Sequence, residues 1–84
     1  MKITFAETGW GDYLYWQAAY QKMLVRLNAI IKGCARNPIK GIGKPEPLRG
    51  NWSGWWSRRI NEEHRLIYRI RDNTLEIAQC RFHY

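Results

Sequence analysis

Polar and apolar residues alternate over Lys2-Ile3-Thr4-Phe5-Ala6, with β-branched and aromatic members among them, which predicts a short strand at the start of the sequence. Thr8 is the expected cap of the helix that follows. Trp10, Tyr13, Leu14, Gln17 and Ala18 recur at spacings of three and four, and after Tyr20 the set Met23, Leu24, Leu27, Ile30, Ile31 and Cys34 continues a 3.6-residue stripe. Two helices in series are therefore predicted. Lys22, Arg26, Lys32 and Arg36 fall on the polar side of the second, whose late cations suit the negative end of its dipole, and Asn37-Pro38 stops it.

Residues 37–54 hold all three prolines and four of the seven glycines, so a long loop is expected there. Loops of that length in a small domain commonly carry function. Trp55 to Ile60 reads as a strand and Glu62-Glu63 as a connection. His64 to Arg71 alternates, with Leu66, Tyr68 and Ile70 on one side and Arg65, Ile67, Arg69 and Arg71 on the other. Asp72-Asn73 is a hairpin turn, and the returning strand runs from Thr74 to about Phe82. A two-residue turn pairs Leu75 with Ile70, Ile77 with Tyr68 and Glu76 with Arg69, the last an attractive cross-strand pair. The expected fold is α+β: two N-terminal helices packed on one face of a small antiparallel sheet, in a single domain spanning residues 1–84.

Composition narrows the function classes. Eighty-four residues leave room for one modest core, and 45% hydrophobic with 25% charged residues excludes disorder over most of the length. No apolar run approaches the about 18 residues of a membrane span, and the first six residues are too short for a signal peptide, so no membrane span is expected and a cytoplasmic location is. Cys34 and Cys80 read as free thiols. Fourteen Lys and Arg against seven Asp and Glu give a net charge of +7. Over residues 20–49 seven cations face Glu46 alone, a net +6. Polyanions are the natural partners, and nine of the fourteen cations are Arg, which suits bidentate phosphate contacts. At this level a membrane surface or an acidic protein stays open.

Gly41-Ile42-Gly43-Lys44 suggests a phosphate loop, but Pro38 stands where Walker A needs Gly and Pro45 where it needs Ser or Thr, so nucleotide hydrolysis is rejected. His64, His83, Cys34 and Cys80 lack ligand spacing, and neither metal nor cofactor is expected. What remains is a set that RNA cleavage could use: Glu46, the arginines Arg49, Arg59, Arg65 and Arg81, and the pair His83-Tyr84. One group takes a proton from the ribose 2′-OH, another returns one to the leaving 5′ oxygen, and arginines offset phosphate charge. Composition alone does not single out these residues, since a lone loop Glu is most often just solvated.

Lys44-Pro45-Glu46-Pro47-Leu48, Ser53-Gly54, Trp56-Ser57-Arg58-Arg59-Ile60, Glu62-Glu63-His64-Arg65-Leu66 and Cys80-Arg81-Phe82-His83-Tyr84 together resemble the YoeB (Txe) branch of the RelE toxin superfamily. Asp12-Tyr13-Leu14-Tyr15-Trp16-Gln17 fits it too, so the likeness runs nearly end to end. The resemblance implies a RelE-like, microbial-ribonuclease-like fold and a type II toxin-antitoxin toxin. It would act as a ribosome-dependent endoribonuclease on mRNA in the A site, with no cofactor, inhibiting translation. The implied partners are mRNA, ribosomal RNA and a YefM-type antitoxin, with monomer and homodimer both open. Carried over by position, Glu46 is the general base, Arg65 a transition-state stabiliser, His83 the general acid, and Tyr84 an orienting residue. Lys44, Arg49, Arg59 and Arg81 bind substrate.

Three demands follow. Arg58 and Arg59 point to opposite sides of a regular strand, so only one faces the site. His64 reads as a core or capping histidine. A regular hairpin puts Tyr84 on the Arg65 face and His83 on the other, so a bulge or curl must unite them. Trp52, Trp55 and Trp56 divide between base stacking, a partner interface and the core. The rivals are a ParE-like gyrase-binding toxin and a non-catalytic RNA-binding module.

Overall fold

The computed structural model describes residues 1–82. Its elements follow the predicted order: β1 (Lys2–Phe5), α1 (Glu7–Ala19), α2 (Gln21–Arg36), β2 (Glu46–Pro47), a 3-10 turn at Gly50–Trp52, β3 (Trp56–Arg59), β4 (Arg65–Arg71) and β5 (Thr74–Gln79). The strands form one sheet in the order β1-β5-β4-β3-β2. β1 runs parallel to β5, and the other neighbours are antiparallel. The hairpin register is the predicted one, with Ile70 opposite Leu75, Tyr68 opposite Ile77 and Arg69 opposite Glu76.

α2 buries its expected stripe. Met23, Leu27, Ile30, Ile31 and Cys34 pack against Leu66, Tyr68, Leu75, Ile77 and Cys80, with Leu24 at the margin. Fully burying one such aliphatic side chain stabilises by about 1.5–3 kcal/mol. α1 behaves differently. Its spacing predicts Trp10 and Leu14 inward, yet these are 48% and 43% exposed, whereas Trp16 is 4% exposed and donates from Nε1 to the Cys80 carbonyl at 2.8 Å. α1 carries aromatic residues on several sides, so periodicity could not choose its inner face. Contact with β5 does. A side-chain carbon on Gly9 would meet the Ile77 carbonyl oxygen at 2.8 Å, so glycine lets the helix approach the strand. The same contact explains why the helix opens at Glu7, with Ala6 rather than Thr8 in the cap position: the Ala6 N–H still donates to Ile77 O at 2.8 Å, and the chain turns there.

Two loop expectations are corrected. The segment 37–54 is not loop throughout, because Glu46 and Pro47 pair with Ser57 and Trp56 as an edge strand. Proline is tolerated at an edge, where its missing N–H interrupts no inner ladder. β5 stops at Gln79, short of Phe82, because the Cys80 backbone is captured by α1: its N–H donates to Asp12 Oδ2 at 3.0 Å and its carbonyl accepts from Trp16.

Segment 37–43 is organised by Arg58, which is fully buried. Its guanidinium donates to the carbonyls of Asn37, Lys40 (3.1 Å) and Ile42 (3.3 Å) and, from Nε, to the Tyr68 hydroxyl (3.0 Å). Tyr68 in turn donates to Pro38 O at 2.6 Å. Gly41 and Gly43, at φ 129° and 86°, let the backbone wrap this side chain. A side-chain carbon on either would come within 3.0 Å of Arg58. The glycine pair that suggested phosphate binding thus encloses an arginine of the protein itself.

Candidate active site

Opposed residues in a ladder share a face of the sheet, and the face alternates along each strand. Glu46, Ser57, Ile67 and Gln79 therefore form one row across β2, β3, β4 and β5, on the face away from the helices. Two residues further along lies Arg59 opposite Arg65, on the same face. Glu46, Arg59 and Arg65 are thus brought together on three adjacent strands. Glu46 and Arg59 are exposed, Arg65 is half-buried, and Ser57 and Ile67 form a closed floor beneath them. Arg58 is the arginine turned to the helix side, which leaves Arg59 to the site.

Arg65 is anchored by one nitrogen. Its NH1 donates to the carbonyls of Asn61 (2.8 Å), His64 (3.1 Å) and Glu62 (3.3 Å). Its Nε and NH2 make no hydrogen bond among the described residues, so a charged edge stays presented. Beside it a groove is lined by Arg26, Lys44 and Arg59 together with Gly43, Ile60, Asn61 and Glu62. Lys44 is exposed and held at φ 52° by the turn before β2. Arg26, expected on the polar side of the second helix, belongs to this groove; its Nε donates to Ile60 O at 3.3 Å. Arg49 is exposed at the entry to the 3-10 turn.

Arg81 is not gathered with these residues. Its guanidinium lies 3.5 Å from the Tyr15 ring centroid and 4.5 Å from that of Phe82, against α1. His83 and Tyr84 lie outside the described residues. The approach to them is built as follows. His64 is 8% exposed and meets Trp16 edge-on at 4.8 Å. Its Nδ1 accepts from the Phe82 N–H at 2.7 Å, and the Arg65 N–H donates to Phe82 O at 3.0 Å. His64 is a core and anchoring residue, as its alternation suggested. A register shift between Ile67 and Tyr68 leaves Ala78 as an extra residue in β5, upstream of both terminal residues, and the bulge or curl that would unite His83 with Tyr84 falls outside the described residues.

The tryptophans separate. Trp56 packs on the core, while Trp52 and Trp55 meet at 5.6 Å and 89° beside the site. The Arg69 guanidinium sits 4.2 Å from the Trp55 ring centroid and its Nε contacts Glu76 Oε1 at 2.5 Å. The hydrogen bond from Arg69, with Arg71 nearby, holds the Glu76 carboxyl below its ordinary range. Burial pushes the Cys34 thiol up to about 11 and the Cys80 thiol up to about 12, so neither is an available nucleophile. Among the described residues no group of three or more His, Cys, Asp or Glu converges, and no helix is long and apolar enough to cross a membrane.

Comparison with known proteins adds to this geometry. The family model of the YoeB-like toxin of bacterial type II toxin-antitoxin systems matches residues 5–84. A "Toxin YoeB" of Synechocystis is 60% identical over 84 residues, covering 100% of this chain and 98% of the relative. A "YoeB/ParE toxin" structure from Agrobacterium tumefaciens superposes with a TM-score of 0.97 at 45% identity, covering 100% of both chains. The toxin of a heterotetrameric YoeB-YefM toxin-antitoxin complex from Staphylococcus aureus superposes at 0.92 with 46% identity, covering 100% of this chain and 98% of that one.

Proposed function

We propose that this chain, which belongs to the YoeB-like toxins of bacterial type II toxin-antitoxin systems, is an endoribonuclease that cuts mRNA in the ribosomal A site. The observation that carries the reading is the common face of Glu46, Arg59 and Arg65 on three adjacent strands, with Lys44 and Arg26 in the adjoining groove. Glu46 accepts the proton of a ribose 2′-OH. The freed oxygen attacks the adjacent phosphorus, an O2′–P bond forms, and the P–O5′ bond breaks. His83 gives a proton to the departing 5′ oxygen, and Tyr84 orients it. The products are a 2′,3′-cyclic phosphate and a 5′-OH. Arg65, presenting its free edge, and Arg59 offset the charge that develops on the phosphate oxygens. Each proton transfer is worth about 10²- to 10⁴-fold and each well-placed donor a similar factor.

The basic outer surface of α2 and the loop after it meets ribosomal RNA, whose phosphates reward such charge through counterion release. A YefM-type antitoxin docks an acidic segment on the same charge and silences the toxin. Arg49 serves as a phosphate contact from the 3-10 turn. Arg81, stacked on Tyr15, acts on substrate only if that stack opens.

The test is cleavage mapping on translating ribosomes with wild type, Glu46→Ala and His83→Ala. Cuts at A-site codons with cyclic-phosphate and 5′-OH ends, weakened at least about 100-fold in both variants, are expected. Intact mRNA with wild type would overturn the reading in favour of a gyrase-directed toxin. Intact mRNA with ribosome binding and translation inhibition both undiminished in Glu46→Ala would favour a non-catalytic RNA binder.

A further inference from the structure

The face that carries Glu46 has a third row. The Leu48 N–H donates to Trp55 O at 2.9 Å, extending the β2–β3 ladder by one pair beyond Pro47 and Trp56. Trp56 faces Tyr68, so Trp55 stands beside Arg69, which pairs with Glu76. Three parallel rows therefore lie on one surface: Arg59 with Arg65, then Glu46 with Ser57 and Ile67, then Trp55 with Arg69 and Glu76. Successive rows are about 7 Å apart, two residues of strand rise. The charged row and the aromatic row flank the carboxylate on opposite sides.

The aromatic row is built as a platform. Arg69 is held from both sides, by Glu76 at 2.5 Å and by the Trp55 ring at 4.2 Å, so its planar guanidinium is braced against the indole. Glu76 is held by a second cation, Arg71, at 3.3 Å. Trp52 meets Trp55 edge to face, and neither indole is fully buried. Unpaired RNA bases stack on such aromatic and guanidinium planes regardless of sequence, because every base has a π face.

We propose that the Trp55–Arg69 platform, flanked by Trp52, stacks the base of the nucleotide whose 2′-hydroxyl is the nucleophile. The inference rests on the endoribonuclease reading and deepens it. With that ribose over the Glu46 row, its 3′ phosphate reaches toward Arg59 and Arg65 and its base toward Trp55. Stacking fixes the sugar between the two and so aims the 2′-OH at the phosphorus.

The experiment is single-turnover cleavage of mRNA on ribosomes with a vacant A site. The nucleotide 5′ to the cut is either natural or an abasic ribonucleotide that keeps its 2′-OH. Wild type, Trp55→Ala and Trp55→Phe are compared on both. The abasic site is expected to slow wild type about 10-fold or more. Trp55→Ala should slow the natural substrate similarly and lose nothing further on the abasic one, while Trp55→Phe keeps most of the wild-type rate. The platform is overturned if wild type cuts both substrates equally, or if the base and side-chain losses multiply. It is also overturned if Trp55→Ala cuts normally and loses only antitoxin binding, which would make the row a protein contact. Should Trp55→Ala fail to fold, the abasic comparison with wild type still decides. Failure of wild type to cut the natural mRNA would overturn the endoribonuclease reading itself, a result distinct from insensitivity to the base.

Discussion

Arg58 and Arg59 are neighbours in sequence and opposites in circumstance. Arg58 faces the helices, fully buried, with its guanidinium spent on three backbone carbonyls and the Tyr68 hydroxyl. Arg59 faces away from them, exposed, opposite Arg65 and within the groove shared by Arg26 and Lys44. The same chemical group acts as a strut on one side of the sheet and as an open positive charge on the other. One residue of strand alternation separates the two roles, and what decides between them is whether the donors are already occupied.

The sharpest break of that comparison is to exchange the losses. Arg58→Met strips donors from several carbonyls at once and is expected to cost about 3 kcal/mol, read as a shift of the urea midpoint. Arg59→Ala should move stability by no more than about 0.5 kcal/mol and yet weaken cleavage about 10-fold or more on ribosome-bound mRNA. If Arg59→Ala unfolds the protein and Arg58→Met does not, the assignment of roles is reversed. A smaller effect is expected at Trp16, where Phe keeps the aromatic packing but leaves the Cys80 carbonyl without its donor. About 1–3 kcal/mol of stability should be lost, measured by thermal unfolding.

Smallest is the alkaline response of the helix-side core. Cys34 and Cys80 are raised from 9.0 to about 11 and about 12, mainly by burial. A thiol whose folded value is raised resists ionisation only in the native state. Stability from this source is complete below pH 9 and is lost as pH rises through the folded values. Denaturant midpoints should therefore be level from pH 7 to about 9 and fall above it, and both thiols should resist alkylation at pH 8 until the protein is unfolded.

Much of the sheet was legible because alternation and a two-residue turn leave few registers. Leu66, Tyr68 and Ile70 against Leu75 and Ile77 fix the β4–β5 hairpin, and the Arg69–Glu76 pair agrees with it. α2 was legible for the same reason, one apolar stripe on an otherwise polar helix. α1 was not, since Trp10, Leu14 and Trp16 are all apolar and the choice among them was made by Gly9 against β5. β2 escaped notice because two residues, one of them proline, carry no periodicity. The site divides similarly. Arg65 on the polar side of its strand, and one of Arg58 and Arg59 turned to the site, follow from alternation. The meeting of Glu46 with them depends on an edge pairing that no local pattern announces, and Arg26 enters only through the packing of α2 beside the groove. The roles of Glu46 and Arg65 came from resemblance to a family, and His83 and Tyr84 lie outside the described residues.

The parallel pairing of β1 with β5 has a consequence for biosynthesis. Lys2 pairs with Thr74, a separation of 72 residues, and Phe5 with Ile77. Both helices precede β4 and β5 in the chain, so the apolar stripe of α2 has α1 beside it but lacks its sheet partners until β4 and β5 have emerged from the translating ribosome. Contacts between such distant segments close slowly and late. The sheet-and-helix core is thus completed only when β4 and β5 have joined the helices and β1. Nascent chains arrested with β5 still inside the ribosome should remain open to protease along α2, and acquire resistance on release.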